Sequence, residues 1–137
     1  VLGNSDYVQP TPTRPQQNNA DMRTRQFRAF NDNCYLTAHA GETYEHIANE
    51  IGIKAYKLAK YNERPEDARL SEGEIVWLKK KQHHVPDNFG RQYHIAKSNE
   101  SLYDIAQLYG VRLKNMIKAN KKIVKRGLKE GDKVMLP

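Results

Sequence analysis

Cysteine is almost missing from this chain: Cys34 stands alone among 137 residues, which excludes an intramolecular disulfide framework and leaves the fold to its apolar core. A thiol nucleophile needs a lowered pKa and a nearby base. The sequence around Cys34 supplies neither, so the thiol reads as an incidental group just before a strand. No apolar run approaches membrane-spanning length, and no membrane insertion is expected. The charged, apolar, small-residue succession of a secretory leader is also missing. The chain begins at Val1 rather than a methionine and reads as a piece of a longer or processed precursor.

Catalytic and metal constellations are equally scarce. His83 and His84 are adjacent and so cannot share a face of a strand or helix, and no Cys, Asp or Glu cluster is spaced to complete a tetrahedral metal site. His39, His46 and His94 are scattered, with no serine or cysteine arranged beside them as a nucleophile. Glu42 with Glu45, or Glu72 with Glu74, would have to face each other across a deep cleft to hydrolyse a glycoside. A unit of about 45 residues buries too little surface to build that cleft. No catalytic residue, metal or cofactor is therefore expected.

What is present is a soluble globular composition, 38% hydrophobic and 28% charged, with a net charge of +7. The charge is uneven: +1 over residues 1–34, −2 over 35–79, +2 over 80–92 and +6 over 93–137. The last stretch is basic enough to attract nucleic acid, anionic lipid or the carboxylates of a cell-wall polymer, and a solvated basic face is the plain alternative.

The strongest signal is internal repetition. An offset of 58 residues aligns 35–79 with 93–137 without a gap, and 13 of the 45 positions are identical, among them Tyr35/Tyr93, Ile47/Ile105, Gly52/Gly110, Asn62/Asn120 and Gly73/Gly131. Each copy opens with a short strand, YLTA or YHIA, followed by a turn. Thr43 or Ser101 then stands as a helix cap. Tyr44, Ile47, Ala48 and Ile51, like Leu102, Ile105, Ala106 and Tyr109, recur at i, i+3, i+4 and i+7, which predicts a helix with one apolar face. Gly52 and Gly110 stop it with a positive φ. A second helix ends at Asn62 or Asn120, where a left-handed residue is expected. After a polar loop, Glu72-Gly73 and Glu130-Gly131 turn into a closing strand with Val76 and Leu78, or Val134 and Leu136, on one face.

The expected fold is α+β: two small βααβ units at 35–79 and 93–137, each a two-stranded antiparallel sheet with two helices on one face. Residues 1–34 contain QPTPTRPQQNNA and read as linker-like. Within RTRQFRAF, Phe27 and Phe30 are expected to pack on the first unit. Residues 80–92, with Pro86 and Gly90, read as an inter-unit linker with a flexible reach of roughly 20 Å.

The order Tyr, Gly-Glu-Thr, Ile-Ala, Gly-Ile, Leu, Asn, Glu-Gly and Val-x-Leu in the first copy resembles the LysM family. YHIAKSNESLYDIAQLYGVRLKNMIKAN with LKEGDKVMLP in the second resembles it more closely. Two positions depart from the pattern: Asn99 stands where the first copy has Gly41, and Lys79 replaces the closing proline. The resemblance implies two LysM modules that bind N-acetylglucosamine polymers such as peptidoglycan or chitin without catalysis. It places the site between the loop before the first helix and the loop after the second. In this sequence that means Gly41, Glu42, Thr43, Tyr44, Asn62, Glu63, Arg64 and Pro65, and in the second module Asn99, Glu100, Ser101, Leu102, Asn120, Lys121, Lys122 and Ile123. The pair is similar to the C-terminal cell-wall-binding region of bacterial N-acetylglucosaminidase-like autolysins, which implies a catalytic domain upstream and a periplasmic, cell-envelope or secreted location. A monomer is expected. Two other classes are a protein-interaction or assembly module and, less favoured, a nucleic-acid binder. The second copy has scattered Lys but lacks the interleaved exposed aromatics of single-strand readers.

Overall fold

Local capping explains where the first helix of each unit begins and stops. In the computed structural model, which describes residues 25–137, the first unit runs β1 (Arg28–Phe30), β2 (Asn33–Thr37), α1 (Tyr44–Ile51), α2 (Ala55–Tyr61) and β3 (Ile75–Trp77). The second runs β4 (Tyr93–Ile95), α3 (Leu102–Tyr109), α4 (Leu113–Ala119), α5 (Lys121–Arg126) and β5 (Lys133–Met135). The Thr43 hydroxyl accepts the His46 N–H at 3.2 Å, and Ser101 forms a reciprocal capping box with Asp104. Gly52 and Gly110 end α1 and α3 at φ 84° and 65°. Asn99, which stands where the first copy has Gly41, takes the same positive φ, 63° against 82°.

Each unit is α+β, with antiparallel strands and the two helices that the repeat predicts, and the second unit adds α5. Tyr35 pairs with Trp77 in one ribbon and Tyr93 with Met135 in the other. Leu36, Tyr44, Ile47, Leu58 and Val76 centre the first core, and Ile105, Ala106, Val111, Met116 and Val134 the second. Four details differ from expectation. The first sheet has three strands, because Arg28–Phe30 pairs antiparallel along β2, and Cys34 lies inside β2 rather than before it. Phe30 packs on the second core, edge-on to Phe89 at 5.4 Å, and Phe27 is exposed, so neither enters the first core. Of the segment 1–34 expected to be linker-like, residues 1–24 lie outside the described residues.

The third difference is at the asparagines. Asn62 and Asn120 have φ of −101° and −134°, so neither supplies a left-handed cap. Their side chains are what the fold uses. Asn62 Nδ2 donates to the Leu58 and Trp77 carbonyls at 2.8 and 2.9 Å, and its Oδ1 accepts the Trp77 N–H at 2.8 Å. Asn120 repeats this with Met116 and Met135 at 2.9, 2.9 and 2.7 Å. The fourth is the segment after Asn120, expected as a loop, which continues as helix α5. Residues 121–126 contain no proline or glycine, whereas in the first copy Pro65 disfavours helical geometry at Arg64 and Glu63 takes a positive φ of 56°.

The connector 80–92 joins the units without acting as a free tether. The Lys81 side chain is buried, Gln82 bridges Val111 through bonds to Gly110 and Arg112, and Val85 N–H donates to Pro137. The units meet where α3 lies on β3. Trp77, fully buried, donates its indole N–H to the Gln107 carbonyl at 2.8 Å, and Gln107 Nε2 donates to the Ile75 carbonyl and to Asn62 Oδ1 at 3.1 Å each. A Cβ on Gly110 would come within 2.9 Å of the Trp77 ring, so only glycine lets the helix end lie flush on the indole.

A paired substitution tests that contact. Gly52→Ala meets no atom within 4 Å and should cost about 1 kcal/mol, from positive φ alone. Gly110→Ala adds the collision with Trp77 and should cost a further 1–3 kcal/mol or so by chemical denaturation; equal costs would refute the flush contact.

Candidate functional site

The loops named by the sequence are built the same way up to a point. In each module a glutamate two residues before the first helix folds back on its own turn: Glu42 Oε1 accepts the His39 N–H at 2.7 Å and Glu100 Oε1 accepts the Lys97 N–H at 2.8 Å. The partners on the other side differ. Arg25, from the segment before β1, clasps Glu42 with both amino nitrogens at 2.9 and 2.7 Å and also reaches Glu50. Glu100 accepts instead from His94 Nε2 at 3.0 Å, while His94 Nδ1 lies 2.7 Å from the Tyr109 hydroxyl. Burial raises both carboxyls, yet the bonds outweigh it and hold each below the ordinary 4.5.

The rest of the first site is largely committed elsewhere. Gly41 N–H donates to the Leu70 carbonyl and Leu70 N–H to the Glu42 carbonyl, both at 2.8 Å, and Thr43 bridges Arg69, so the loop before α1 is zipped to residues 69–70. Tyr44 is fully buried beside Tyr103, Arg64 and Glu74, and burial pushes both phenols up, Tyr103 to about 12. Asn62 is the buried clamp, and its carbonyl accepts the Tyr103 hydroxyl at 2.6 Å. Glu63 accepts the Leu113 N–H and pairs with the buried Lys81 ammonium at 2.6 Å. Arg64 pairs with Glu74 and sits 6.0 Å over the Tyr103 ring. The backbone near Gly41, part of Glu63 and the Pro65 ring are left toward solvent. The sequence-named residues of the first module therefore divide between the glutamate turn, the core and the contact with the second module.

The second site is less occupied. The two cross-loop bonds of the first module have no counterparts between 99–101 and 127–128 among the described residues, although the hairpin bonds of Ala38 recur at Ala96. Asn99 and Ser101 are exposed, Glu100 and Leu102 half-buried, and Asn120 buried in its clamp. Lys121 and Lys122 are exposed on the first turn of α5, and Ile123 leans on the second core. This site is one loop and one helix end, not two loops.

Glu42, His46 and Glu50 bring ligand atoms within 4.8 Å of one another, but the Arg25 guanidinium bonds both carboxylates, so the cationic place is filled by the protein itself. The sequence reading missed the contact residues Trp77, Tyr103, Gln107, Lys81 and Arg25. One sign was available for Trp77: in IVWLK both Ile75 and Trp77 are apolar on the face opposite Val76, a pattern of two-sided burial.

The LysM domain profile matches residues 37–79 and 94–137, one match on each βααβ unit. The chain belongs to the LysM family. LysM domains are non-catalytic modules that bind N-acetylglucosamine-containing glycans, and this chain carries two of them. No curated protein sequence matches the chain significantly. Among solved structures it is similar to the spore cortex-lytic enzyme SleL of Bacillus cereus, at 22% identity and a TM-score of 0.31 over 75% of this chain. It is similar also to SleL of Bacillus megaterium QM B1551, at 24% and 0.30 over 75%. The chain spans 22% of the length of each enzyme. No helix among the described residues is long and apolar enough to cross a membrane.

The two depressed carboxyls make the LysM pair acid-sensitive. A group whose folded pKa lies below its unfolded value stabilises the fold above the unfolded pKa, and that stability is lost as pH falls through the folded value. Thermal midpoints should hold down to about pH 4.5 and then drop. The Glu42→Gln/Glu100→Gln double variant should melt lower at neutral pH and show a shallower drop in acid; an unchanged acid slope would count against both anchors.

Proposed function

We propose that the chain binds N-acetylglucosamine-containing polysaccharide, peptidoglycan foremost, chiefly through its second LysM module. The observation that carries this reading is the asymmetry of the loops. The first module uses the backbone groups of Gly41 and Glu42 to bond Leu70, and uses Asn62, Glu63 and Arg64 to hold the second module. The second leaves the equivalent groups of Asn99, Glu100 and Ser101 without those bonds, and the first turn of α5 is exposed. Backbone N–H and C=O groups suit an acetamido group, with Leu102 and Ile123 offering apolar edges to the sugar ring. Lys121 and Lys122 add attraction for the carboxylates of peptidoglycan stems. Gly41, Glu42, Thr43, Tyr44 and Asn62 to Pro65 make a secondary contact at most in this arrangement.

In this reading the pair targets an upstream cell-wall hydrolase, glucosaminidase-like, to its polymer in the periplasm, cell envelope or outside the cell. The support is the autolysin-like sequence pattern of the tandem modules.

Titration with N-acetylglucosamine oligomers, followed by backbone amide shifts, tests the assignment. Fast-exchange perturbations are expected at residues 99–102 and 120–123, with smaller ones at 41–44 and none at 62–65. Retention on insoluble peptidoglycan should fall with salt more than binding of the uncharged oligomer does, because only the polymer carries carboxylates. Perturbations confined to the first module, or none at all, would overturn the proposal.

A further inference from the structure

The repeat presents one surface in two states. On the outward face of the first ribbon, Tyr35 and Trp77 pair with their rings 4.8 Å apart, and α3 covers the indole by laying Gly110 against it. An offset of 58 residues carries Tyr35, Thr37, Ile75 and Trp77 to Tyr93, Ile95, Lys133 and Met135. There the face is open to solvent: Tyr93, Ile95 and Met135 are 40%, 49% and 42% exposed, where Trp77 is 0%. Lys133 bends its ammonium to 4.2 Å over the Tyr93 ring.

We propose that this open face binds a second copy of the chain, head to tail, through helix α1 of that copy's first module. Helix α1 is the counterpart of α3, which fills the same role inside the chain. Glu45, Asn49 and Gly52 occupy the positions of Tyr103, Gln107 and Gly110, and all three are exposed. Gly52 has open space where a Cβ would stand, so α1 can lie flush on Met135 as α3 lies on Trp77. The Asn49 amide is placed to donate to the Lys133 carbonyl, as Gln107 does to that of Ile75.

Charge selects the same occupant. Inside the chain, Arg64 sits over Tyr103 at the rim of the contact. The corresponding rim of the second module carries Lys122 beside Lys121, and the residue presented to it by α1 is the acidic Glu45. The modules as wholes differ in the same sense, −2 against +6. Such steering raises the encounter rate and disfavours the reverse pairing of two basic faces. The contact is heterologous, so each added copy exposes a fresh face, and growth runs from copy to copy, as a filament or to a closed ring. The monomer expected from the sequence becomes a concentration-dependent state.

Sedimentation velocity of the purified chain without glycan, from micromolar to millimolar concentration, is the test. The weight-average mass should rise with concentration and pass that of the dimer. Met135→Lys blocks the face and Glu45→Lys reverses the helix; both positions are exposed, and amide spectra check that each variant is folded. Each alone should weaken association by roughly tenfold or more. An equimolar mixture should form a 1:1 dimer that stops growing, because one variant keeps an intact helix and the other an intact face. A wild-type chain that remains monomeric, variants that associate as the wild type does, or a mixture that does not pair would each overturn the proposal. Shifts at Tyr93, Ile95 and Met135 on adding oligosaccharide to a monomeric chain would assign the face to sugar instead. The readout needs no glycan, so it fails or succeeds separately from the carbohydrate-binding reading.

Discussion

A carboxamide buried at the end of the second helix ties the two halves of each module together. Asn62 and Asn120 each take two carbonyls and one N–H, one carbonyl from their own helix and the remaining pair from the closing strand. The donors and acceptor are those of a backbone strand partner, so the side chain acts as a short strand where the helix end cannot supply one. In a module with strands of three to five residues, this fixes how the helix pair sits on the ribbon. The first clamp does more, since Asn62 Oδ1 also accepts from Gln107 and its carbonyl accepts from Tyr103. The atom group that closes the first module is thus the one that receives the second.

The scaffold was legible in the sequence because periodicity and caps are local. The i, i+3, i+4, i+7 apolar series, Thr43 and Ser101, and the two αL glycines located α1 and α3, and the constant offset located the rest. The role of Asn62 was half legible. Its position at a helix end was right, but a φ-based explanation was available and the side-chain clamp depends on a strand 15 residues away. The third strand was missed because Arg28–Phe30 has no repeat partner and pairs through backbone groups, which carry no side-chain signature.

The candidate site was harder to see because its fate depends on contacts between modules. Nothing in ERPED tells that Glu63 will meet the Leu113 N–H or that Arg64 will lie over Tyr103, since both partners are some 40 to 50 residues away. Likewise the Glu42 carboxylate looks like an exposed loop acid until Arg25 is brought onto it. Alignment at one offset treats the two loops as equivalent, and the fold then uses one of them for cohesion. The sequence signs of that division were the unequal charge, with an acidic copy against a basic one, and the two-sided apolar pattern of IVWLK.

The module contact also constrains what a ligand could do to the first module. To reach Asn62, Glu63 and Arg64, a glycan would have to displace Tyr103 and expose the Lys81–Glu63 pair, whose ammonium is fully buried at 2.6 Å from the carboxylate. Burial lowers the Lys81 pKa while Glu63 raises it, and the first effect is the larger. Removing one partner of such a pair leaves an uncompensated charge and is strongly destabilising. A weak sugar site lacks the free energy to open that contact, whereas the second module offers its loop with nothing to displace. In the proposed reading, cohesion in one copy and access in the other follow from a single docking geometry, although the two units share the βααβ plan.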